Sequence, residues 1–216
     1  GVNLTVEAGA ILGLLGPNGA DKSTTLPIFS TLLNADSGTV RVSGSDVETD
    51  PNGVRAAIRY VPEEAGAYEN LTGRQYLNFI ASFYADDPDP LVEAGIEIAD
   101  LGDRIEDKTS EYSKGMTRKL LLAAALMTEP EVAILDEPTS GLDVRNARQV
   151  RETIKSYPGE DRSVVLSSHN MLEVEYLCDR VALLSEGRIV GVGSPAELVE
   201  TYDTENLEDA FLEATA

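Results

Sequence analysis

Basic side chains are scarce: seventeen Lys and Arg face thirty-eight Asp and Glu, leaving a net charge of −21 on 216 residues. A chain this acidic repels phosphodiester backbones, which argues against a broad nucleic-acid surface. Cysteine is nearly absent. The lone Cys178 has no partner for an internal disulfide or a Cys-based metal site, as befits a reducing cytoplasm, and makes an unconvincing nucleophile. No apolar run approaches the roughly eighteen residues needed to cross a bilayer. The chain opens Gly1-Val2-Asn3-Leu4-Thr5 with neither a basic nor an apolar leader, so a soluble or membrane-peripheral protein is expected, with nothing to mark it for secretion. What is present is enough for a core. At 42% apolar residues the chain is not disordered, and its length predicts one domain with an insertion.

Four short apolar runs read as strands buried on both faces: Ile11 to Leu15, Val132 to Leu135, Val164 to Leu166 and Val181 to Leu184. Helical patterns alternate with them, including Val144, Ala147, Val150 and Ile154 after Asp143, as in a layered α/β core with a parallel sheet. Residues 72–128 differ, being helical without a convincing strand. Thr72 and Gln75 form a capping box, after which Tyr76, Ile80 and Phe83 share a helical face. Asp86 to Pro90 breaks that helix, and a second runs from Leu91 to Ala99. Ser113 is placed to cap a third, apolar all round from Leu120 to Met127 and stopped by Glu129-Pro130. A short strand, Arg188 to Val192, and acidic helices from Pro195 and Glu205 follow. The expected division is a core of residues 1–71 and 129–193, a helical subdomain of 72–128 and a C-terminal helical tail of 194–216.

Gly16-Pro17-Asn18-Gly19-Ala20-Asp21-Lys22-Ser23, with Thr24 after it, sits between a buried strand and a helical pattern. It matches the phosphate-loop pattern G-x-x-x-x-G-K-[ST] at every fixed position but Asp21. In such a loop backbone N–H groups and a helix N-terminus surround phosphate oxygens, Lys22 reaches the β and γ phosphates, and the Ser23 hydroxyl binds Mg²⁺. Asp21 adds a Cβ and a negative charge beside a polyanion, and Pro27 removes a hydrogen bond from the helix that follows.

Val132 to Thr139 is a strand that delivers the carboxylates Asp136 and Glu137 at its carboxyl end, where open α/β sheets place ligands. The run Leu135 to Asp143, Leu-Asp-Glu-Pro-Thr-Ser-Gly-Leu-Asp, with Tyr112 to Met116 and Ser168-His169, makes the chain resemble an ABC ATPase from near its start to its end. The resemblance implies a P-loop NTPase, RecA-like α/β core with a mostly parallel sheet and an inserted helical subdomain. It also implies residue roles. Asp136 with Ser23 would hold Mg²⁺, Glu137 would orient and polarise the attacking water, and His169 would contact the γ-phosphate. Ser113-Lys114-Gly115 would be the signature motif, Lys114 standing for the usual Gly, and would close over ATP held by a second, head-to-tail nucleotide-binding subunit. Asp143 would belong to the D-loop near that interface, and Glu63 would stand where the Q-loop has Gln.

Pro62-Glu63-Glu64, Leu71 to Arg74, Ser113 to Met116 and Leu207 to Leu212 resemble the ATP-binding subunits of ABC-2-type and multidrug exporters. A homodimeric ATPase on the cytoplasmic face of the cell membrane, driving a transmembrane permease with ATP and Mg²⁺ and binding no nucleic acid, is therefore expected. Two alternatives stand beside it: an ABC subunit whose nucleotide site Asp21 has impaired, leaving a structural or regulatory role, and an ABC ATPase of translation or DNA repair. The acidity resembles that of proteins from high-salt cytoplasm, an acidic interaction surface being its competing explanation.

Overall fold

The computed structural model describes residues 1–17 and 22–215, the Ser23 side chain excepted. The elements are β1 (Ile11–Leu15), α1 (Lys22–Phe29), β2 (Arg41–Val42), β3 (Ser45–Asp46), α2 (Pro51–Ala57), β4 (Ile58–Val61), α3 (Gly73–Ala81), α4 (Asp89–Ala99), α5 (Lys114–Leu126), β5 (Val132–Asp136), α6 (Val144–Ser156), β6 (Ser163–Ser168), α7 (Met171–Leu177), β7 (Arg180–Ser185), β8 (Arg188–Gly193), α8 (Pro195–Thr201) and α9 (Leu207–Ala214). Two 3₁₀ turns lie between α4 and α5.

The main sheet runs β4-β5-β6-β1-β7-β8, parallel except for the β7–β8 hairpin at one edge. Its inner strands are apolar at nearly every position because both faces are covered. Along β1, Ile11 and Leu15 pack with α5, α6 and α7, whereas Leu12 and Leu14 pack with Leu26 of α1 and Val54 of α2. Burying each such side chain contributes about 1.5–3 kcal/mol. At Gly13 a Cβ would lie 2.8 Å from Cys178 Sγ, so the absence of a side chain there lets α7 close on the sheet. The hairpin turns at Glu186 and Gly187, both with positive φ, the geometry a two-residue loop requires between twisted strands.

The helical insertion follows the expected capping chemistry. Thr72 and Gln75 cap α3 reciprocally, and the Ser113 hydroxyl accepts from the Met116 amide at 3.3 Å to cap α5. Every residue from Leu120 to Met127 is buried. Phe83 departs from the expected buried face: α3 ends at Ala81, and Phe83 in the following turn is 67% exposed. Val144 departs likewise, at 85% exposed, because at the first position of α6 it points away from the stripe of Ala147, Val150 and Ile154.

Helix α4 begins at Asp89 rather than Leu91, since Pro90 is tolerated in a first turn whose N–H groups have no helical acceptor. Helix α9 begins at Leu207 rather than Glu205, where the Asn206 side chain accepts from the Asp209 amide. Its Leu207 and Phe211 are buried in the main core cluster.

Candidate functional site

Three parallel strands, β1, β5 and β6, deliver their carboxyl ends to one edge of the sheet. Asp136 ends β5 in register with Ser167 of β6, so the two side chains emerge from the same face of neighbouring strands. The Ser167 hydroxyl donates to Asp136 Oδ1, and the Tyr60 hydroxyl, from β4, donates to Oδ2 at 3.3 Å. Burial first, then the Asp136 charge and this hydrogen bond, push the Tyr60 phenol up to about 12. Asp136 has no ion pair among the described residues. Among the described residues its hydrogen-bond partners are two neutral hydroxyls, an oxygen-rich setting that suits a cation such as Mg²⁺. No cluster of three or more His, Cys, Asp or Glu able to hold a metal occurs among the described residues.

Glu137 follows at φ 45°, buried to 6% exposure, its amide donating to Ser167 both at the carbonyl (3.2 Å) and at the hydroxyl (3.0 Å). The turn carries its carboxyl between two partners. Oε1 lies 3.5 Å from Lys22 Nζ, and Oε2 lies 2.8 Å from His169 Nδ1. Lys22, also buried, donates to the Gly16 carbonyl of its own loop. The chain thus brings Gly16, Lys22, Asp136, Glu137 and His169 together. Pro17 and Thr24 flank them, both exposed. Asn18, Gly19, Ala20, Asp21 and the Ser23 side chain lie outside the described residues.

The remaining sequence-predicted residues lie apart. No hydrogen bond or ion pair among the described residues joins Ser113, Lys114 or Gly115 to the Lys22–Glu137–His169 group. Lys114 Nζ instead reaches over Gly141 in the loop before α6, and a Cβ at Gly115 would meet Asn146 in the first turn of α6, its Cγ at 2.5 Å and its Cβ at 2.9 Å. Asp143 caps α6, accepting from the amides of Arg145 (3.0 Å) and Asn146 (3.1 Å) and from Asn146 Nδ2 (2.5 Å). The backbone bond from Asn146, then its side chain, hold the Asp143 carboxyl below its ordinary value. Glu63 is exposed, and its carbonyl accepts from Arg118.

Arg118, 4% exposed on α5, also donates to the Pro62 carbonyl at 3.1 Å. Burial lowers its pKa, against the opposing charges of Glu63 and Asp136. A cleft of about 660 Å³ opens beside Glu137 and His169, lined also by Ser140, Arg148, Arg151 and Tyr176.

Ser167, Tyr60 and Arg118 were not singled out from sequence. Ser167 had a signal, a polar pair closing an apolar strand before His169. Tyr60 and Arg118 had none, because their contacts cross between segments distant in the chain.

The family model described as ABC transporter matches residues 1–140. The chain belongs to the ABC transporter family. Over 201 residues it is 35% identical to the linearmycin resistance ATP-binding protein LnrL of Bacillus subtilis, covering 92% of this chain and 65% of that protein. It is 37% identical to the daunorubicin/doxorubicin resistance ATP-binding protein DrrA of Streptomyces peucetius, covering 92% and 61%. The chain therefore spans less than two thirds of these two relatives. A solved ATP-binding subunit of an ABC transporter superposes with a TM-score of 0.88 at 26% identity, covering 99% of this ABC chain and 91% of the other.

Proposed function

We propose that this chain is the ATP-binding and hydrolysing part of an exporter, acting as a head-to-tail pair and driving a separate transmembrane protein. The observation that carries it is the contact series Lys22–Glu137–His169 at the carboxyl ends of β1, β5 and β6. ATP would lie along Gly16 to Thr24, where Lys22 exchanges its carbonyl and carboxylate partners for the β and γ phosphates. Asp136 and Ser23 would hold Mg²⁺, which neutralises charge on the phosphate oxygens. Glu137, held by its amide, would orient water for in-line attack on the γ-phosphorus, breaking the bond to the β-phosphate oxygen and releasing ADP and phosphate. His169, sharing a contact with Glu137, would support the attack geometry from the γ-phosphate side.

Separation of Ser113, Lys114 and Gly115 from this group supports a second copy supplying them. Among the described residues no helix is long and apolar enough to cross a membrane; in this reading the chain sits on the cytoplasmic face of the cell membrane through a separate permease. The names of both relatives, resistance ATP-binding proteins, support export. Mg²⁺-dependent ATP hydrolysis is expected, and Glu137→Gln should lower it about 10²- to 10⁴-fold with ATP binding retained. Undiminished turnover in that variant would remove the mechanism.

The opposing reading, an impaired site, rests on Asp21. Calorimetric ATP titration in molar KCl decides it. Asp21→Gly should bind about tenfold more tightly once its like charge is gone, with the native chain still binding; a native chain that does not bind favours the impaired site.

A further inference from the structure

Glu173, in the first turn of α7, is 2% exposed. Its Oε1 accepts from the Thr139 hydroxyl at 2.5 Å and its Oε2 from the Ser168 hydroxyl at 2.7 Å. No cation pairs with it among the described residues. Thr139 belongs to the turn that follows Glu137, and Ser168 immediately precedes His169. Ser168 Oγ also accepts from the Asn170 amide at 3.0 Å, and the Asn170 side chain accepts from the Glu173 amide at 3.3 Å. His169 is thereby bracketed on both sides by residues bonded to Glu173.

Burying a carboxyl group is costly unless both oxygens are satisfied, and an apolar side chain of similar volume would fill the space without that cost. What an apolar residue could not do is join two separate segments at fixed distance. We propose that Glu173 is a positioning residue that sets the Glu137–His169 contact by bolting the turn after β5 to the carboxyl end of β6. This rests on the reading of Glu137 and His169 as the hydrolytic pair. Neither bonded hydroxyl belongs to the Gly16–Thr24 loop, so Glu173 governs the hydrolytic step and not nucleotide affinity.

The variant that tests it is Glu173→Gln, which keeps the volume but turns one oxygen into an NH₂ that cannot accept from a hydroxyl. Expected is a fall in kcat of about 10- to 100-fold with KM for ATP within about threefold of the parent. His169 is the sole histidine of the chain, so the Nδ1 signal of its imidazole in nitrogen-15 NMR reports its contact directly. That signal should move in Glu173→Gln, and in the same direction in Thr139→Val and Ser168→Ala, each of which removes one donor. A folded Glu173→Gln variant with parental kcat and imidazole signal overturns the proposal. So does a kcat loss accompanied by a parallel rise in KM. Should Glu173→Gln not fold, the two hydroxyl variants decide by the same readings. Should the parent hydrolyse no ATP, the hydrolytic reading falls while the imidazole signal still decides whether Glu173 sets the contact.

Discussion

Glu137 holds φ at 45° directly before Pro138, a region that L side chains seldom adopt and that a following proline further disfavours. Such a conformation persists where its surroundings over-determine it, and Ser167 does so with two acceptors for one amide. Ser167 serves Asp136 as well, so Ser167→Ala should cost about 1–3 kcal/mol in urea unfolding. It should also raise the Mg²⁺ concentration for half-maximal hydrolysis, read by metal titration. Cys178 offers the opposite case. Burial first, then the charges of Glu173 and Asp179, raise its thiol well above the ordinary value, so little thiolate forms at neutral pH. Labelling by a thiol reagent should be slow in the native protein and fast in urea; rapid native labelling would contradict the burial. Lys22, Asp136, Glu137 and His169 were legible because motif order along the chain carries them. Glu173 was not, since nothing local tells a buried bridging carboxyl from the acidic residues of a solvated helix face.

Helix α1 contains Pro27 near its end, and the Leu32 and Leu33 amides both turn back to the Pro27 carbonyl as the helix closes. Restoring an N–H by Pro27→Ala should stabilise the protein by about 1–3 kcal/mol, raising Tm in a calorimetric scan by roughly 2–10 °C. The caps of α2 and α6 make a second prediction. The Asp50 carboxyl is lowered first by the Ser45 hydroxyl and then by the Gly53 amide; that of Asp143 is lowered first by the Asn146 amide. Folded values below the unfolded 3.8 mean that each cap contributes its stability above that pH and loses it as pH falls through the lower folded value. Asp143→Asn, which caps without a charge, should flatten the acid limb of a denaturation curve.

Among the strands, the central ones announced themselves as unbroken apolar runs. Strand β4 did not: only its end residues Ile58 and Val61 are buried, it lies at the sheet edge, and it carries Arg59 and Tyr60 between them. The β2–β3 ribbon, two residues on each side, is too short for any periodicity to show.

The whole molecule carries −21 charges, and its self-repulsion opposes compactness. Screening should therefore raise Tm as KCl rises from about 0.1 to 1 M, where the screening length shrinks from about 10 to 3 Å; a flat profile would show the acidic side chains to be too dispersed to matter. The layered arrangement was readable from the alternation of strand and helix patterns, and the insertion from its want of strands. How the insertion is joined to the core was only partly readable, because beside the apolar packing of α5 on the sheet the join includes the bonds of Arg118 to the carbonyls of Pro62 and Glu63. Carbonyl oxygens are the same whatever the side chain. The two bonds that Arg118 makes do not depend on the side chains at the positions it grips, so with glutamine at 63 they would stand unchanged, while the carboxylate charge that opposes the effect of burial on the guanidinium would be gone.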